Sequence, residues 1–78
     1  MKQSPAYLRF LGNLDFTVRA FVREADPRIE NNTLLLAFPA KAAFHYQSCQ
    51  KYLNEVQMAA QKELDVREVK PMLIEEES

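Results

Sequence analysis

Thr33-Leu34-Leu35-Leu36-Ala37-Phe38-Pro39 decides the fold. Its β-branched, aliphatic and aromatic residues read as a strand, and Pro39 ends it. Leu34, Leu36 and Phe38 share one face; Leu35 and Ala37 share the other. A strand apolar on both faces is expected to be central or covered. Upstream stands Asn31-Asn32, a turn signal because asparagine tolerates positive φ, and before it Arg28-Ile29-Glu30 reads as a short partner strand.

Further upstream, Ser4-Pro5 reads as an N-cap with proline at the first helical position. Tyr7, Leu11, Leu14, Val18, Phe21 and Ala25 then recur in steps of four and three, a helical stripe that Leu8, Phe10 and Val22 widen. Gly12-Asn13 interrupts it and Asp15 is placed to cap a second helix. Two helical stretches are predicted, 5–12 and 15–25, with one kinked helix as the alternative, and Asp26-Pro27 ends the second.

Downstream, Ala42, Tyr46, Cys49, Leu53, Val56, Ala60 and Leu64 form the buried stripe of one long helix from Ala40 to Leu64. Asp65 to Lys70 reads as a third strand that Pro71 stops. Met72-Leu73-Ile74 and the acidic run Glu75-Glu76-Glu77-Ser78 follow as a flexible tail. The prediction is a small α+β domain of order α-β-β-α-β over 1–70, with a tail over 71–78. A three-stranded mixed sheet carries the helices, and its crossover is right-handed.

Composition narrows the function. The chain has 78 residues, enough for one small domain with a thin core. Its single glycine, Gly12, excludes a P-loop, a dinucleotide-binding fingerprint and a G-x-x-G nucleic-acid clamp, since each needs several glycines. A net charge of −1 argues against a dedicated nucleic-acid binder, where a basic excess supplies the affinity. One cysteine allows no internal disulfide. With no signal sequence and no apolar run of membrane-spanning length, the expected location is the cytoplasm, with no membrane partner.

No catalytic constellation stands out. His45 and Cys49 face the same way one turn apart, but a zinc site needs three or four ligands, and a cysteine nucleophile needs an oxyanion site beside its base. A half-buried helix face accounts for both residues. The carboxylates are scattered along the chain; Glu63 with Arg67 and Glu24 with Arg28 are possible surface pairs. No metal or cofactor is expected. Arg9, Arg19 and Arg23, with Phe10 and Phe16, are the candidates for a single-stranded nucleic-acid face, weighed against a solubilising helix face. Phe16, Phe44 and Met58 fall off the core stripes, and Met72, Leu73 and Ile74 lie beyond the last predicted strand. Of these, Phe44, Met58, Met72, Leu73 and Ile74 are the candidate partner-binding residues, weighed against extra cover for a thin core. The sheet edges are a further place where a partner segment could add.

Three motifs carry a resemblance: Ala20-Phe21-Val22-Arg23-Glu24-Ala25-Asp26-Pro27 at a helix end, Thr33-Leu34-Leu35-Leu36-Ala37-Phe38-Pro39 as a strand, and Phe44-His45-Tyr46 opening a helix. Together they resemble the C-terminal, polymerase-binding region of the tau/gamma subunit of bacterial DNA polymerase III. The likeness runs from Thr17 to Tyr46 and loosely on to Val69. The chain departs from that family in having Tyr7 and no tryptophan in its first helix, and in lacking the ATPase-like region, which suggests an excised domain or a stand-alone relative. The resemblance implies a truncated KH-like fold and a non-catalytic role. It implies tethering of the catalytic alpha subunit to the clamp loader in DNA replication, with other replisome proteins as further partners. The alternative is a small KH-like domain that binds single-stranded nucleic acid.

Overall fold

The computed structural model describes residues 2–74. The local signals at the N-terminus are met. Ser4 Oγ accepts the Tyr7 amide at 3.1 Å and Pro5 opens α1 (Pro5–Gly12). The Asp15 carboxylate accepts the Thr17 amide at 3.4 Å and caps α2 (Phe16–Val22). That helix stops earlier than the stripe predicts. The Glu24 and Ala25 amides turn back to the Phe21 and Val22 carbonyls at 3.1 and 3.0 Å, so the last turn tightens and the chain leaves early. β1 (Asp26–Glu30) then already contains Pro27.

Asn31 and Asn32 both sit at positive φ, 51° and 62°. A two-residue turn with both centres left-handed matches the twist of the flanking strands and closes the hairpin onto β2 (Thr33–Pro39). After a short 3₁₀ turn at Ala40–Ala42, α3 (Ala43–Lys51) and α4 (Leu53–Leu64) take the place of the single long helix expected. Hydrogen bonds cross the junction, from the Tyr52 amide to Ser48 O at 3.1 Å and from the Val56 amide to Tyr52 O at 3.2 Å, so it is a kink and not a loop. Packing explains it. α3 lies on α2, and α4 lies on α1. At the bend the Tyr52 ring stacks on Phe21 with centroids 5.9 Å apart.

β3 (Glu68–Ile74) passes straight through Pro71. This corrects the expected stop at Pro71: residues 71–74 belong to the sheet, while the predicted acidic end, 75–78, lies outside the described residues. The sheet order is β1-β2-β3, with β1 antiparallel and β3 parallel to the central β2. The domain is therefore α+β with a three-stranded mixed sheet, as predicted, and its order is α-α-β-β-α-α-β.

One core fills the space between the helices and one face of the sheet. Leu34, Leu36 and Phe38 on β2 are fully buried against Tyr7, Phe10, Val22, Cys49 and Val56. Leu8, expected to widen the α1 stripe, points outward instead. Two side-chain acceptors on α4 fix the α1–α2 corner. Glu55 takes the Asp15 amide at 2.8 Å, and Glu63 takes the Asn13 side-chain amide at 2.7 Å.

Candidate partner-binding surface

The helices cover only one face of the sheet. On the other face stand Asp26, Arg28 and Glu30 from β1, Thr33, Leu35, Ala37 and Pro39 from β2, and Glu68, Lys70, Met72 and Ile74 from β3. The register arranges them in rows: Glu30–Thr33–Glu68 near the turn, then Arg28–Leu35–Lys70, then Asp26–Ala37–Met72, then Pro39–Ile74. The bare face is thus charged at the turn end and apolar at the other. Asp26, Arg28, Leu35, Ala37, Met72 and Ile74 line a depression of about 170 Å³ there. Leu35 and Ala37 are only half buried although β2 is central. Their apolar character was legible in the period-two pattern. That they stay uncovered was not, because it depends on which side the helices take.

The edges of the sheet are closed to strand addition over much of their length. Across the two-residue turn, Glu30 and Thr33 form a hydrogen-bonded pair, so alternation turns the backbone groups of Pro27 and Ile29 outward. Proline has no N–H, so that position offers no donor. On β3 the Val69 amide points outward and donates to Gln57 Oε1 of α4 at 3.2 Å. Pro71, two residues on, is outward by the same alternation and again lacks a donor. This explains how both strands accept a proline, and it removes most of the edge that the sequence left available to a partner.

The five candidate partner residues are all exposed, but they do not form one patch. Met72 and Ile74 meet Leu35 and Ala37 on the bare face. Leu73, between them, points to the helix side of the sheet, opposite Phe38 in the register. Phe44, 73% exposed, sits in the first turn of α3 with its ring against His45 at 5.8 Å. Met58, 70% exposed, lines a separate shallow depression of about 460 Å³ with Asn13, Glu55, Ala59 and Lys62, along the seam of the α1–α2 corner with α4. Phe16, 80% exposed, follows the Asp15 cap at the start of α2.

The arginines proposed for nucleic acid are dispersed and partly committed. Arg9 pairs with Glu63 at 3.4 Å, so the expected Glu63–Arg67 pair is replaced. Arg28 pairs with Glu30 at 3.7 Å in place of Glu24. Arg19 is half buried and donates Nη2 to the Leu14 carbonyl at 3.2 Å. Arg23 lines a different depression with Lys2, Tyr7, Leu8 and Leu11. Phe10, offered as a stacking platform, is fully buried.

Cys49 is a fully buried core residue, and burial pushes its thiol from an ordinary 9.0 up to about 11. A thiol so raised is a small hydrophobe at neutral pH and not a nucleophile. Among the described residues no three His, Cys, Asp or Glu side chains come together as metal ligands, and no helix is long and apolar enough to cross a membrane.

Comparison with curated proteins gave no significant match, and comparison with solved structures gave none either. A family model does match, over residues 2–77, and it describes the C-terminal domain of DNA polymerase III subunit tau. The match spans nearly the whole chain and takes in the helix end, strand and helix start quoted above together with the sheet they build. The chain belongs to this family, the C-terminal domains of the tau component of DNA polymerase III, and so to the machinery of DNA replication.

Proposed function

We propose that this domain is the non-catalytic module that tethers the catalytic alpha subunit of DNA polymerase III to the clamp loader. Its work is affinity and geometry, without a covalent step, in the bacterial cytoplasm. The family supplies the setting, and one observation carries the reading. Among the described residues, a sheet face bearing Leu35, Ala37, Met72 and Ile74 is left bare in a chain too small to waste apolar surface. Phe44, Met58 and Leu73 are the further anchors, each outside that face. Dispersed and paired arginines, a buried Phe10 and a net charge of −1 weigh against nucleic acid as the main partner.

The test is a pull-down from a bacterial lysate with the chain as bait, at low and at high salt. The expected result is recovery of the catalytic polymerase at both, since an apolar contact is little affected by screening. Recovery of nucleic acid alone, washed off by high salt, would replace the tethering reading with the nucleic-acid one.

A further inference from the structure

Two features of the sheet, taken together, say what form its partner has. The edges offer few donors: Pro27 and Pro71 have none, and the Val69 amide is taken by Gln57 at 3.2 Å. Ile29 and Leu73 are the remaining outward residues of the two edge strands, one on each edge. An added strand needs a run of alternating donors and acceptors, which neither edge supplies. The bare face offers the opposite: side chains, with its own backbone already paired. Its natural occupant satisfies its own backbone and presents side chains, which is a helix. Three strands about 4.8 Å apart span roughly 10 Å, the diameter of one helix. The face covers on the order of 200 Å², against about 800 Å² per partner in a stable interface, so its occupant belongs to a partner that also makes contacts outside this face.

The rows then set the chemistry. The depression of about 170 Å³ has Leu35, Ala37, Met72 and Ile74 as its apolar wall and Asp26 and Arg28 of β1 as its charged rim; it compares with a cavity of about 150 Å³ that holds a benzene ring, so it takes one large apolar side chain. The neighbouring row, Arg28–Leu35–Lys70, lies two residues away along the strands, about 6.6 Å, close to the roughly 5.4 Å of one helical turn. Resting on the tethering reading, we infer that the catalytic polymerase contacts this domain through an amphipathic helix laid across the bare sheet face. One large apolar side chain enters the depression beside Met72 and Ile74, and a carboxylate one turn away lies against Arg28 and Lys70.

The experiment uses the purified catalytic polymerase and the chain carrying Met72→Glu, Ile74→Glu or Arg28→Glu, with Leu8→Glu on the exposed side of α1 as the control. Met72→Glu and Ile74→Glu are each expected to weaken binding by about tenfold or more. Arg28→Glu is expected to slow association several-fold. Leu8→Glu should bind like the unsubstituted chain. Circular dichroism checks folding, and Met72→Ser serves if Met72→Glu does not fold. A photo-reactive phenylalanine analogue at position 74 identifies the contacting segment, expected to be helical with an apolar side chain and a carboxylate one turn apart. Undiminished binding by both β3 variants, a contacting segment that is not helical, or new amide-exchange protection at Ile29 or Leu73 would overturn the helix inference while leaving the tether standing. No binding by the unsubstituted chain would remove both.

Discussion

Tyr7 is the most exposed weakness of the core at the level of single residues. Its ring is buried against Phe10, 5.3 Å between centroids, yet among the described residues its hydroxyl has no hydrogen-bond partner. Burial, with smaller contributions from Cys49 and Asp26, raises its pKa far above the ordinary phenol value. A buried donor without a partner loses its hydration and gains nothing back. Tyr7→Phe should therefore match or exceed the parent in stability, by up to about 1 kcal/mol in urea titration. A loss of that size would show that the hydroxyl is bonded. Cys49 makes a second prediction. Its folded pKa, about 11, lies above the ordinary 9.0, so both states are neutral below pH 9 and the full stability is present there. As pH rises from about 9 to 11, only the unfolded chain sheds the proton, and stability falls. Melting temperature should decline across that window, and Cys49→Val should flatten the decline, leaving the part that Tyr7 adds at higher pH.

Among the elements, α4 ends on Asp65 in the left-handed region, φ 55°, a place that favours glycine. Asp65→Gly should raise stability by about 0.5 kcal/mol, read as a higher melting temperature. An unchanged or lower value would mean that the αL geometry costs Asp65 nothing. Elements whose causes are local were legible in the sequence. Ser4, Asp15 and the asparagine pair act on neighbours within a few residues, and each does what its position predicts. The kink at Tyr52 was not legible, since no proline or glycine marks it; it arises because α3 and α4 follow different partner helices. Nor was the passage of β3 through Pro71, because proline is harmless only where its missing N–H faces outward, and register decides that. The same holds for the candidate surface. Exposure of Phe44 and Met58 follows from their place off the stripes, whereas the meeting of Met72 and Ile74 with Leu35 and Ala37 needs the parallel pairing.

The whole molecule has little stability to spare. A chain of 78 residues is expected to hold roughly 4–12 kcal/mol. Phe38 is fully buried on the central strand with its ring in a T-shaped contact with Tyr46, so Phe38→Ala, costing about 3–5 kcal/mol, should remove a large part of that reserve. A chain that kept its urea midpoint would show that the core is not organised around β2. Phe16→Ser, at the most exposed large apolar position, should change stability by no more than about 0.5 kcal/mol. The order of the strands has a consequence for how the molecule is made. β1 and β2 are joined by two residues, so their pairing is local in the chain. β3 reaches β2 only after both later helices have been synthesised. Until Ile74 has emerged, the nascent chain carries the β2 flank that β3 will pair with as an open edge. An open strand edge is a template for pairing with another chain, and β3 is the element that closes it.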